Sequence, residues 1–263
     1  MVRVENIRRL YAPWQPQRSE GDIVYRQFQP TPQLLPYIYC YYEFYSLCPL
    51  VRPAAFHAVA DGCIDMIVPA SRNKQRLVVG VSVDSQSFPL GQSFHFYGVR
   101  FLPAGFTALT GIAASELSDN SIMLDDVYSE MGNLIDDRDV PLSGVEEVCS
   151  SLDSLFVGRL RRYGAMVDNR VVGALSELLL SPNGGITTAT LSSRQSRRLF
   201  DHYVGDSPNT IARVFRFQKY LQDFIKVGHY YADYLDYGFY DQSHFIKEFT
   251  LFSGETPKHI DML

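Results

Sequence analysis

The chain has no run of about eighteen apolar residues, so no segment reads as a membrane-spanning helix. Its first fifteen residues scatter charge and polarity without an apolar stretch, and no secretory leader is expected. Cysteine is sparse. Cys40, Cys48, Cys63 and Cys149 lie far apart with no CxxC pair, which argues against a disulfide framework or a zinc site. Reduced thiols in a cytoplasm are the expected state. Signatures of catalysis are missing too: no GxGxxG, Walker loop, HExxH or GxSxG occurs. His57 and His95, the histidines of the N-terminal half, lack the close HxH pairing of a metal site. Neither an enzyme, a bound cofactor nor a metal is expected.

What is present reads as an α+β chain of two modest domains. A length of 263 residues leaves room for two cores, and 46% apolar with 20% charged residues is ordinary for a soluble protein. Residues 37–45, 64–68, 77–83 and 94–101 are short runs rich in aromatic and β-branched residues, hence strands. The stretches 69–73 and 84–87 carry turn chemistry between them. Such strands bury themselves in a small barrel or sandwich. Residues 121–135 and 145–163 read as helices. The latter aligns Val145, Val148, Leu152, Leu155, Phe156 and Leu160 on one side. That stripe either packs on its own domain or forms a dimer seam. The expected division is a β-rich domain with flanking helices over 1–165 and an all-α domain over 166–263.

The most informative stretch is 238–260, GFYDQSHFIKEFTLFSGETPKHI. Gly238 suits the left-handed end of a short helix, and Asp241 or Ser243 can cap the next. Phe245, Phe249 and Phe252 form an apolar stripe at spacings of four and three. Gln242, Ser243, Lys247 and Glu248 fall on the open faces. Gly254 stops the helix, and Pro257 can open a new first turn. A short helix, a glycine turn and a polar-faced second helix make up the helix-turn-helix plan.

This stretch resembles the C-terminal signature of the AraC/XylS transcriptional regulators. The matching residues are Gly238, Phe239, Asp241, Gln242, Ser243, His244, Phe245, Phe249, Gly254, Thr256 and Pro257. Residues 192–218 are similar to the other half of that family's double helix-turn-helix. Ser192, Arg194, Gln195, Arg198 and Phe200 fit its first recognition helix, Gly205, Ser207 and Pro208 its turn, and Arg216, Phe217 and Gln218 its linking helix, expected over 210–225. Ser196 stands where the family carries leucine, and 186–191 leave room only for a short supporting helix. In the second module Tyr234 replaces a small residue, while His244 is expected to pack beside the apolar stripe.

The resemblance implies promoter DNA as a partner. Arg194, Gln195, Arg197 and Arg198 would serve one groove, and Tyr240, Gln242, Ser243 and Lys247 the next; Arg213, Arg216 and Lys219 are placed for phosphates. Six to eight phosphate contacts are expected in all. RNA polymerase is the implied second partner, with activation the usual mode. The net charge of −5 runs against this, because phosphate contacts supply most DNA affinity. Residues 191–220 hold six basic residues against two acids, whereas 230–263 hold two against six. A regulator acting mainly through protein contacts, with weakened DNA binding, therefore remains the alternative.

Asp61-Gly62-Cys63-Ile64-Asp65, Gly98-Val99-Arg100-Phe101 and Pro103-Ala104-Gly105 resemble the DGxxD and GVRFxP elements of one N-terminal domain type of AraC-like regulators. The resemblance implies a sensor or dimerisation role. Aromatic residues, Tyr41 and Phe96 among them, either line a ligand cavity or fill a core. Arg100 either receives an anionic head group or pairs with Asp61 or Asp65. A small apolar or anionic effector and a homodimer are both compatible with this reading.

Overall fold

The computed structural model describes residues 5–16, 19, 21–70, 76–117, 121–123, 144–181, 191–226 and 233–262. An antiparallel β domain is followed by a helical region, an α+β arrangement. The elements are α1 (Glu5–Leu10), β1 (Ile23–Phe28), β2 (Ile38–Ser46), β3 (Ala54–Ala58), β4 (Ile64–Pro69), β5 (Leu77–Val79), β6 (Gln86–Gly91), β7 (His95–Phe101), α2 (Gly105–Thr110), β8 (Ser121–Met123), α3 (Val145–Tyr163), α4 (Asn169–Leu180), α5 (Ser193–Tyr203), α6 (Pro208–Lys226) and α7 (Gln242–Ser253). Six strands form one sheet in the order β1-β2-β7-β4-β5-β8, and β3 pairs with β6 in a separate ribbon.

Side chains alternate across the sheet, and the two faces do different work. Tyr41, Met66, Val68, Tyr97, Val99 and Phe101 join a core with the helices. Tyr42, Phe44 and Phe94 face the ribbon, where Phe44 meets Phe56 at 5.7 Å between ring centroids. A register shift between Ile38 and Cys40 moves Ile38 to the helical core and Cys40 to the ribbon side.

Sequence and structure part in several places. The strand expected over 77–83 ends at Val79. The polar segment read as a turn over 84–87 leads into β6, a ribbon strand that opens with the exposed Gln86 and Ser87. Strand β3, with three alanines in five residues, carries too few strong strand formers to stand out. Ser121–Met123 is a strand paired with β5, where a helix was expected. The rest of that expected helix lies outside the described residues, as do residues 182–190, which include all of the expected supporting helix but Leu191.

The stripe of α3 packs on its own β domain. Phe156 is fully buried and meets Phe101 edge-on at 5.6 Å. Arg159 donates to the carbonyls of Leu109 and Thr110 at the end of α2 (2.9 and 2.8 Å), and Asp153 accepts from the Tyr41 hydroxyl at 2.8 Å.

The helical region shares its core with the β domain. Leu199 and Phe200 of α5 and Ile211 and Phe215 of α6 belong to the cluster under the sheet. Val59 and Ala60 belong to the cluster formed by α6 and α7. Polar contacts lock this seam: Gln218, fully buried, accepts from Trp14 N (2.8 Å) and donates to Ala60 O (2.8 Å). The Phe252 carbonyl at the end of α7 accepts from Ala60 N at 2.8 Å.

Phe156→Ala is expected to destabilise the chain by about 3–5 kcal/mol, read as a lower urea midpoint at an unchanged slope. A loss below about 1 kcal/mol would mean that α3 does not hold the sheet face.

Candidate functional site

Helix α5 begins with a capping box: Gln195 N donates to Ser192 Oγ (3.3 Å), and Ser192 N donates to Gln195 Oε1 (2.9 Å). Ser192 is the cap. Gln195 is exposed but held in this box. The helix buries Ser196, Leu199 and Phe200 and leaves Arg194, Arg197 and Arg198 exposed within about one turn. Ser196 follows its expected loss of a core contact with a second defect: its buried hydroxyl has no hydrogen-bond partner among the described residues.

Helix α7 is entered as its sequence demands. Residues Tyr234–Tyr237 form a short 3-10 turn, Gly238 takes φ 78°, and Asp241 caps α7 by accepting from His244 N at 2.7 Å. Phe245, Phe249 and Phe252 are buried, and Gly254 ends the helix at φ 80°. The bulk of Tyr234 is accommodated by stacking on Phe245 at 5.1 Å and 10°. Tyr240 is 86% exposed, and Gln242, Ser243 and Lys247 are exposed beside it. His244 has a structural place: Nδ1 accepts from Tyr240 N at 3.1 Å, and Nε2 lies 3.3 Å from Glu248.

Glu248 corrects three expectations together. It is not on an open face but 4% exposed, and it receives Arg213, Arg216 (3.3 Å) and His244. Arg213 also lies over the Phe252 ring, while Arg216 lies over Phe239 and donates to Gly238 O at 3.0 Å. A carboxylate buried at the α6–α7 seam must be compensated, and these two arginines do so. They are therefore directed at Glu248 and away from phosphates. Lys219, one turn on, remains exposed.

In the β domain the two motifs meet. Arg100 and Asp65 are cross-strand neighbours, joined through Nε to Oδ1 (3.0 Å) and Nη2 to Oδ2 (2.7 Å). Asp61 lies 3.7 Å from the same guanidinium and accepts from Cys63 N (2.9 Å) and Gln15 Nε2 (2.8 Å). Burial raises the Asp61 carboxyl above its ordinary range, with Asp65 adding and Arg100 opposing. Burial also works against the Arg100 charge, yet Asp65 and Asp61 hold it well above the usual arginine value. The Tyr42 ring lies across Gly98, where a methyl group would sit 1.9 Å from it; only glycine permits this approach. The Tyr42 hydroxyl thereby reaches Asp65 at 3.2 Å, beneath Arg100.

These residues form one end of a cavity of about 690 Å³ between sheet and ribbon. Arg100 and Phe96 line it; Tyr41 does not. Tyr41 points to the helical face and donates to Asp153. Period-two alternation separates Tyr41 from Tyr42, which lines the cavity. Gln15 and Asp61, also in the wall, come from sequence with no shared periodicity.

The wall is also the support of the helices. Gly80, Ser82 and Gln86 line the cavity. On the other side of this segment, Val81 abuts Gly205 at the end of α5, and Ser85 abuts Gly254 at the end of α7. Ser85 N donates to Leu251 O at 3.0 Å, capping α7 from outside.

The sequence profile of a domain of unknown function, DUF6597, matches residues 26–123 and so spans both motifs and the cavity lining apart from Gln15 and Tyr25. Searches of curated proteins and of solved structures return no match. No described helix is long and apolar enough to cross a membrane.

Asp65→Ala leaves Arg100 buried with only the more distant Asp61, and a loss of about 3–5 kcal/mol in chemical unfolding is expected. Ser196→Ala removes an unpaired buried hydroxyl and is expected to stabilise by about 1 kcal/mol in the same assay. A loss on Ser196→Ala would show that the hydroxyl has a partner.

Proposed function

We propose that this chain is a sequence-specific DNA-binding transcriptional regulator of the AraC/XylS type, controlled through its β domain. One observation carries the reading. Two capped helices, α5 and α7, both pack on α6, and each leaves exposed the residues that the signature assigns to DNA. On α5 these are Arg194, Arg197 and Arg198; on α7 they are Gln242, Ser243 and Lys247. Arginine suits guanine edges and phosphates, glutamine an adenine edge, and lysine a phosphate. RNA polymerase is the partner the resemblance implies for activation. The matched profile covers the β domain and leaves the DNA-binding role to the helices' own chemistry.

The second reading, a regulator with weakened DNA binding, is favoured by the defect at Ser196 and by the net charge of −5. DNA affinity decides between them. With Arg213 and Arg216 directed at Glu248, the exposed cations of the two helices and their linker are Arg194, Arg197, Arg198, Lys219, Lys247 and Lys226, the last of which is paired with Asp223 at 3.9 Å. Five phosphate contacts give a slope of log K against log salt of about −4.5.

Fluorescence anisotropy of the full chain on its own upstream DNA, against a scrambled fragment at two salt concentrations, is the test. Selective binding that falls several hundred-fold, roughly, between 50 and 200 mM salt is expected from that slope. Weak binding that does not distinguish the fragments supports the second reading. Arg197→Ala with Arg198→Ala is expected to weaken binding more than Gln242→Ala with Lys247→Ala, by about tenfold or more. The reverse order would place the main contacts on α7.

A further inference from the structure

The charged side chains that line the cavity are Asp61, Asp65, Arg100 and His95. His95 is already matched by Glu43 at 2.9 Å. The other three place two carboxyls against one guanidinium at a single end of the cavity. Arg100 has its Nε–Nη2 edge on Asp65 and one face over Tyr42, so the edge that would chelate a carboxylate is occupied. An anionic head group entering here would meet two carboxyls beside a guanidinium whose Nε–Nη2 edge Asp65 already holds. A cation would meet the charge that the cluster lacks.

The rest of the cavity is apolar and aromatic. Phe44, Phe56, Phe88 and Phe96 line it, in a volume within the usual range for small-molecule sites. Such rings accept an alkyl body and tolerate a nearby positive charge. The charge excess and the enclosed apolar volume are separate observations that require the same ligand: a positive head on an apolar body.

We propose that the cavity binds an amphipathic cation, with its ammonium head beside Asp61 and Asp65 and its apolar body against Phe44, Phe56, Phe88 and Phe96. The ligand class revises the apolar or anionic effector expected from the sequence. Burial raises the Asp61 carboxyl above its ordinary range, and an ammonium partner would oppose that shift. The proposal rests on the reading of the β domain as the controlling domain, though the binding itself involves no DNA.

Isothermal titration of the full chain with n-octylamine, n-octanoate and n-octanol at neutral pH tests it, since the amine is then protonated. One-to-one binding of octylamine at least about tenfold tighter than octanoate is the expected result, with octanol between them. Asp61→Asn is expected to reduce the preference to about threefold or less, because one carboxylate is removed. Ile67→Trp fills the cavity from the β4 side and is expected to abolish octylamine binding while leaving the unfolding midpoint near that of the parent. Equal or tighter binding of octanoate overturns the proposal. So does octylamine binding that Ile67→Trp leaves unchanged, which would place it on the acidic surface. Should Asp61→Asn fail to fold, the three-ligand comparison on the native chain still decides. The titrations contain no DNA, so a failure of promoter binding would be a separate result.

Discussion

An arginine inside a sheet has to be compensated where it stands, and the arrangement around Arg100 fixes much of this chain. Asp65 lies directly across the ladder and takes the guanidinium edge. Asp61 is drawn in from the turn before β4, and its carboxylate orders that turn by accepting from Cys63 N. The same turn carries Asp61 O to the Tyr11 hydroxyl, and the Tyr11 ring lies 4.7 Å from that of Phe215 on α6. Its outer edge presents Val59 and Ala60 to Gln218 and Phe252. Compensation of one charge thus determines where two helices dock. Glu248 repeats the logic at smaller scale, holding α6 to α7 through Arg213 and Arg216.

Because the regions share a core, a change in one is felt in the other only through particular backbone. Segments 59–63 and 82–85 are bonded to each other, through Gly62 N to Ser82 O and Ser82 N to Cys63 O. Residues of both segments face the cavity with their inner side chains and touch the helices with their outer ones. A close-packed wall of this kind transmits a displacement more readily than it absorbs it. A ligand shifts the helices only to the extent that it binds one arrangement of the wall better than another. The polar end of the cavity, where Asp61 and Gln15 meet, is therefore where a head group has leverage, since Gln15 also binds Val59 on both its N–H and its carbonyl. The apolar end supplies affinity.

Much of the helical region was legible because its signals are local. Capping residues, αL glycines and a stripe of phenylalanines act within one or two turns, and Ser192, Gly238, Asp241 and Gly254 all sit where such signals place them. The strands were legible where aromatic runs are long, as in β2 and β7, and not where Ser, Gln and Ala form the ribbon. The pairing of Arg100 with Asp65 or Asp61 was one of two open readings, and the structure has both carboxyls beside the guanidinium. What sequence could not supply was long-range. Nothing near Arg213 or Arg216 announces a carboxylate 32 to 35 residues away, and helical periodicity alone leaves Glu248 on an open face. Gln15 reaches Asp61 across 46 residues for the same reason. Strand parity puts Tyr41 and Tyr42 on opposite faces, and the helical core takes Tyr41 while the cavity takes Tyr42.

The acidic balance of the chain takes on another meaning once the partners are known. Residues 230–263 carry six acids against two lysines, yet these acids are not equivalent. Glu248 is internal and answered by two arginines, and Asp241 is engaged as a helix cap whose carboxylate accepts from His244 N. A capping carboxylate at a helix N-terminus is partly offset by the helix dipole. The repulsion that a count assigns to α7 is therefore reduced, and so is the attraction it assigns to α6, because the same arginines are internal. The net field shifts toward α5, whose three exposed arginines form no ion pair among the described residues. In the proposed complex α5 then supplies most of the electrostatic attraction, while α7, with Tyr240, Gln242 and Ser243, contributes polar contacts that depend less on charge. A protein of net negative charge can bind DNA on those terms, provided that its positive charge is concentrated on one capped helix and part of its acidity is answered internally, as at Glu248.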